Sequence, residues 1–369
     1  MKDLISRNLK NLPGWRTNRK IVVISFDDYG TIRTASLKAR ENMKKKGLKM
    51  LSYFDEYDAL ENEEDMHALF DVLTSVKDKN GSHAILTAFA LAANIDFEKV
   101  LKKGNTKYHY ELLPDTYTKL KGYENVLNLI KEGIDNKIFL PVFHGREHLN
   151  ISIFEKLLSI KDKTIMLNLE NRSYAAIDDS SFSTMNFPAA FDFYKLEENE
   201  KFKNIIHDGL NAFEKVYGFR SNHFNPPGAD ENRIIHKYLK DNGVEFLDQS
   251  LIKKEHLGLG KYKKVINYTG KINKLGQVIQ VRNVVFEPCV RKDINWIPYS
   301  LSLIKTAFKW KKPAIISSHR VNFSGQIDPK NREEGLKQLK QLLHKIVEQW
   351  PDVEFMSATD LAKEIKKSH

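Results

Sequence analysis

Five residues combine types and positions suited to metal-assisted or acid–base chemistry: Asp27, Asp28, His144, His148 and His319. Carboxylates can hold a cation or a proton, and two imidazoles spaced i and i+4 can converge on one divalent ion. A further His changes charge near neutrality, which suits a proton donor. Each group sits at the end of an apolar run. Residues 21–26 (IVVISF) lead into Asp27-Asp28, residues 138–143 (IFLPVF) into His144, and residues 314–318 (AIISS) into His319. The string His144-Gly145-Arg146-Glu147-His148 also spells the H-x-x-E-H of a zinc peptidase class, in which both His share a helix and Glu is the base. Pro141, the apolar run and Gly145 instead predict a strand end and a turn here, which makes the peptidase the remote alternative. A second rigid turn follows at residues 224–228 (FNPPG), where two prolines and a glycine could wall a site or only punctuate a loop.

These side chains need a scaffold that gathers strand ends. Apolar runs at 21–26, 84–90, 138–143, 314–318 and 353–356 read as buried strands, with helical patterns between them. The clearest helix spans about 331–350, with Leu336, Leu339, Leu342, Leu343, Ile346, Val347 and Trp350 on one face and Pro351 ending it. Ser152 and Glu155 have the spacing of a capping box ahead of Leu157 and Leu158. Strand–helix alternation predicts a parallel sheet, open or closed into a barrel, whose site lies at the carboxyl ends of the strands. Residues 51–82, 173–196 and 256–278 fit the alternation poorly and are expected to be insertions on one domain spanning 21–369, preceded by an arm at 1–20.

The chain has 369 residues, 41% of them hydrophobic and 29% charged, so disorder does not describe it. Its one cysteine, Cys289, allows no internal disulfide. No apolar run approaches the ~18 residues of a membrane span. The first twenty residues lack an apolar signal core, so a soluble cytoplasmic protein is expected. The net charge of +11 is scattered in short clusters such as Lys44-Lys45-Lys46. That pattern gives no compact basic face, and nucleic acid is not the expected partner.

With these residues in view, the chain resembles the polysaccharide deacetylase superfamily (carbohydrate esterase family four). Residues 25–30 (SFDDYG) resemble its T-F-D-D-G motif, 144–148 (HGREH) its H-[ST]-x-x-H motif, and 224–228 its R-P-P turn. Residues 316–319 (ISSH) resemble its late L-x-H motif, and 355–361 (FMSATDL) are similar to its closing segment. A longer bacterial subgroup shares stretches such as TAFALAAN, KYHYE, FHGREHLN and SSHRVNF. The resemblance implies a distorted (β/α) barrel with a divalent metal, usually zinc. It assigns Asp28, His144 and His148 as metal ligands, Asp27 as general base and His319 as general acid. Tyr29, Asn225 and Pro226 would contact an acetylated carbohydrate. So would His109 and Glu111, from the aromatic and polar cluster Tyr108-His109-Tyr110-Glu111 in a cap expected over residues 51–135. The pattern departs in three places. Gly145 replaces a Ser or Thr, and Asn225 stands where the family has an Arg that orients the base. The Asp that holds the acid His has only Asp248 and Asp293 as counterparts.

The implied activity is removal of an acetyl group from a carbohydrate, as amide or ester. The alternative is a carbohydrate-binding or assembly protein on the same scaffold with its chemistry lost.

Overall fold

The computed structural model describes residues 8, 10–182 and 184–368. The 21–26 run lies within strand β1 (Lys20–Tyr29), which is buried along almost its whole length because it pairs on both edges. The other apolar runs form β2 (Leu86–Ala90), β5 (Phe139–Phe143), β13 (Ala314–His319) and β14 (Val353–Met356), as their composition predicts. Between them lie β3 (Ala93–Ile95) and β4 (Tyr110–Leu112), a small antiparallel ladder outside the main sheet. After β5 come β6 (His223–Phe224), β7 (Phe246–Asp248), the hairpin β8 (Ile252–His256) and β9 (Tyr262–Ile266), then β10 (Lys271–Ile272), β11 (Val278–Gln280) and β12 (Val284–Val285).

The main sheet is mixed α/β in character and mostly parallel. It runs β10–β11–β7–β6–β5–β2–β1–β13–β12, with β14 on the first half of the β1 edge that β2 occupies further along. Only the β10–β11 pair is antiparallel. The two ends of this path meet through the chain itself, since β11 pairs with β7 and, three residues later, β12 pairs with β13. Residues 278–285 therefore act as one interrupted closing strand, and the ring is a distorted seven-stranded barrel with a seam at 281–283.

Alternation along β1 sets the two faces. Ile21 and Val23 join Phe246, Val278 and Ile315 inside the barrel, where Ala358, Leu361, Ala362 and Ile365 of the helix Ala358–Lys367 plug its amino end. Val22, Ile24 and Phe26 face outward into the larger core beneath the helices. The helix Pro329–Gln349 buries Leu336, Leu339, Leu342, Leu343 and Ile346, the stripe read from the sequence. It packs against the helices Glu63–Thr74 and Trp296–Lys309. Residues 63–74 thus belong to the outer helical layer rather than to a cap. No helix among the described residues is long and apolar enough to cross a membrane.

The amino-terminal arm is described from residue 10, with residue 8 also described; residues 1–7 and 9 of that expected segment lie outside the described residues. The Lys312 ammonium straps the arm to the barrel by donating to the carbonyls of Pro13, Gly14 and Trp15 at 2.6–2.9 Å. The expected capping box at Ser152 does not form. The helix Ile151–Ser159 is capped by Asn150, whose side chain accepts from the amides of Ser152 and Ile153, while Glu155 accepts from the amide of Tyr108.

Candidate metal and acid–base site

Parallel register brings the first pair together. Asp27 on β1 stands opposite His319 on β13, and both have inward parity at the carboxyl end of the barrel. Asp28 should by the same parity point outward. A break in the β1–β2 ladder between Phe26 and Tyr29, together with a left-handed φ of 78° at Asp28, turns its carboxylate inward instead. Asp27 and Asp28 consequently line one cavity, with His144, His148, Asn225, Pro226, Arg282 and His319. A non-glycine residue held at positive φ is costly and is often found where a side chain must reach a site.

Residues 144–148 form a loop, not a helix, with Gly145 at φ 104°. This excludes the peptidase geometry. Glu147, the base in that reading, is instead paired with Arg146 at 2.6 Å, and the Arg146 guanidinium lies over the Tyr110 ring at 4.4 Å. The loop aims both imidazoles at Asp28: its Oδ1 is 3.1 Å from His148 Nε2 and 3.6 Å from His144 Nε2. One ligand atom from each of the three residues lies within 4.8 Å of the others, and all three residues are buried. Burial alone would push the Asp28 carboxyl up. The facing His148 and His144 rings outweigh it and hold the group well below the usual carboxylate range.

His144 Nδ1 is 2.9 Å from the carbonyl oxygen of Asn225, so that nitrogen must donate, and the neutral ring, the form that binds a metal, carries its lone pair on Nε2. His144 Nε2 is buried and has no hydrogen-bond partner. Two imidazoles, one with a buried and unpartnered Nε2, and a carboxylate form a three-residue donor set that fits a divalent cation.

Asp27 and His319 are held by residues that the sequence motifs did not mark. Arg282, in the seam of the closing strand, donates from one Nη to both oxygens of Asp27 at 2.8 Å. It supplies a cation beside Asp27, although Asn225 occupies the position expected for Arg. Asn225 itself reaches Asp27 Oδ1 at 3.4 Å. His319 Nδ1 meets Glu287 at 2.7 Å, and the other Glu287 oxygen accepts from Asn322 at 2.6 Å. Burial would lower the His319 pKa; Glu287, then Asp27 and Asp28, outweigh it and raise it to about 9. The two expected counterparts for this carboxylate are elsewhere. Asp248 pairs with His223 at 2.7 Å, and Asp293 is exposed and pairs with Arg291.

The remaining sequence-derived positions divide. Asn225 and Pro226 line the cavity; Tyr29, His109 and Glu111 do not. The Tyr29 ring packs in the core against Phe139 at 5.4 Å, because it follows the ladder break and resumes the outward parity. His109 lies near Asn105, and Glu111, on β4, is engaged by Thr116 and Lys119. From the expected cap, only Phe54 reaches the rim, its ring 5.0 Å from that of His319. Asp58 and Glu61 in the same segment bind buried Arg320, and Glu61 also accepts from the Gly30 amide, a buttress behind β1 and β13.

No family model matches the chain, and no curated protein matches it. Among solved structures it is similar to a polysaccharide deacetylase candidate from Mycobacterium smegmatis, with 11% identity, 96% of this chain and 93% of that chain covered, and a TM-score of 0.47. It is also similar to PuuE allantoinase (12% identity, 96% and 93% covered, TM-score 0.44). A third is 4-alpha-glucanotransferase from Thermococcus litoralis (9% identity, TM-score 0.44), with 94% of this chain but 40% of that one covered. These proteins differ in activity, and chemistry is a property of the site rather than of the scaffold.

Proposed function

We propose that this protein is a divalent-metal-dependent hydrolase that removes acetyl groups from a carbohydrate. The observation that carries the proposal is one cavity holding both a three-residue cation site and a separately supported acid–base pair. Asp28, His144 and His148 would hold the cation, and their two imidazoles and one carboxylate suit zinc. When bound, such an ion supplies Lewis-acid polarisation of an acetyl carbonyl and acidifies water.

The chain's own residues supply the proton traffic. Asp27, oriented by Arg282 and Asn225, accepts the proton of the attacking water. His319, held in its protonated form by Glu287, stands across the cleft with Nε2 3.6 Å from Asp27 Oδ2 and donates to the departing oxygen or nitrogen. A sugar amine or alkoxide is a poor leaving group unless protonated, which gives the raised pKa of His319 a use. The reading as an inactive binder drew on the missing Arg. Arg282 beside Asp27 removes that motive.

The test is metal analysis of protein purified without added metal, followed by acetate release from a panel of N- and O-acetylated saccharides. One divalent ion per chain and chelator-sensitive release are expected. Metal-loaded protein that releases no acetate from any saccharide or activated acetyl ester would leave the binder.

A further inference from the structure

Assigning Asp27, Asp28, His144, His148, His319 and Arg282 leaves one cation of the cleft without work. Arg33 lines the same cavity of about 340 Å³. Its side chain is 15% exposed and makes no hydrogen bond among the described residues, and its Nε is buried and unpartnered. The nearest carboxylates, Asp55 at 3.7 Å and Asp58 at 3.8 Å, are too distant for hydrogen bonds. Both have other partners. Asp58 Oδ1 receives two bonds from Arg320, and Asp55 accepts from Ser52 Oγ and the Ala176 amide. Asp58 Oδ2 is unpartnered as well, so Arg33 and Asp58 balance charge without closing a bond.

The neighbouring buried arginines behave differently. Arg282, Arg320 and Arg146 each close two or more hydrogen bonds to carboxylates. A largely buried guanidinium with idle donors is costly unless something supplies acceptors. Its planar fork matches a carboxylate or phosphate. Phe54 fixes the position: the Arg33 guanidinium carbon lies 5.3 Å from the centroid of its ring, which also makes an edge contact with His319.

We propose that Arg33 is a specificity-determining residue that receives an anionic substituent of the acetylated saccharide, so that the preferred substrate is an acidic sugar. The inference rests on the reading of this cleft as a saccharide deacetylase. The net charge of +11 would also favour the approach of an anionic chain.

Calorimetric binding to the metal-loaded full chain tests this with N-acetylglucosamine, N-acetylmuramic acid and N-acetylglucosamine 6-phosphate. These share an acetylated sugar and differ in carrying no anion, a carboxylate or a phosphate. At least one anionic probe should bind wild type roughly tenfold or more tighter than the neutral one. That advantage should fall to within about twofold in Arg33→Gln and persist in part in Arg33→Lys, which keeps charge but loses the fork. Which probe gains separates carboxylate from phosphate. Equal binding of all three by wild type, or an advantage that survives Arg33→Gln, overturns the proposal. Acetate release is scored separately. Selective binding without release would sink the deacetylase reading and leave the anion site standing. Equal release from neutral and anionic sugars, unchanged in Arg33→Gln, would do the reverse.

Discussion

The two sides of the cleft are built on opposite electrostatic principles. On one side Asp28, His144 and His148 crowd a buried carboxylate against two imidazoles, and His144 Nε2 ends without a partner. On the other, Asp27 and His319 are each matched by a dedicated counter-charge, Arg282 and Glu287, and Glu287 is itself anchored by Asn322. The first side gathers three ligand-type groups with no counter-cation among the described residues; in the second each charge is matched. A protein that only stored a structural ion would need the first alone. On the proposed reading, the second side adds a proton acceptor and a proton donor, each matched by its own counter-charge.

The largest effect should come from the cation side. His144→Ala or His148→Ala should abolish metal retention and bring acetate release to background, while circular dichroism still reports a folded barrel, because the core lies outside this loop. Loss of folding in both variants would make the ion structural and erase the contrast.

Next comes the acid–base side. Asp27→Asn keeps the shape of the side chain and removes the basic carboxylate. It should lower acetate release by ~10²–10⁴-fold with metal content near wild type. Wild-type rates in this variant would remove Asp27 from the chemistry. His319→Ala should cost more on a sugar amide than on an aryl acetate, whose leaving group departs without a proton.

A smaller effect sharpens the pairing. His319 has its pKa raised to about 9 in the folded protein, so its contribution to stability is fully present below the ordinary value of 6.5 and is lost as pH rises through about 9. Activity that needs the protonated ring should fall over the same upper limb. Glu287→Gln should move that limb down toward 6.5 and reduce the rate roughly tenfold at pH 8, with little change at pH 6. A limb that stays in place would mean that Glu287 does not set the acid.

The smallest effect concerns Gly145. A Cβ added there would meet Pro227 Cγ at 3.0 Å, and its φ of 104° disfavours any side chain. Gly145→Ser, which restores the residue type usual in the resembled family, should therefore cost ~1–2 kcal/mol in thermal unfolding while the metal is kept. A neutral substitution would show that the NPPG turn yields easily.

How much of this was legible in the sequence follows the same division. The long strands announced themselves as continuous apolar runs, because a strand buried on both faces carries no polar alternation. Asp28, His144 and the Asp27–His319 pair, which the structure brings to one cavity, could be read as candidates because each lies where such a run stops, and His148 by its spacing from His144. Arg282 and Glu287 could not be read by motif. Arg282 lies in the seam between β11 and β12 and Glu287 just beyond β12, beside strands of two or three residues that give no run of their own. Yet residues 278–287 (VIQVRNVVFE) form an apolar stretch ending in a carboxylate, the signal that found the other site residues. Tyr29 follows the site carboxylates in the resembled motif, but the ladder break before it, which no sequence rule marks, turns its ring into the core. His109 and Glu111 were misplaced because a polar, aromatic cluster looks the same on a surface ladder as in a cleft.

The seam at 281–283 also bears on the order of assembly. Asp27 and Arg282 are 255 positions apart, and Arg282 stands on the segment that joins β7 to β13. Contacts of such long sequence separation are slow to form, since loop-closure entropy is spent before they return anything. Asp28, His144 and His148 can approach one another once β1, β2 and β5 are paired, but Asp27 acquires Arg282 only when the ring shuts. A partly folded chain would therefore gather Asp28, His144 and His148 before Asp27 met Arg282, and, if the proposed function holds, hydrolysis would be the last property the barrel gains.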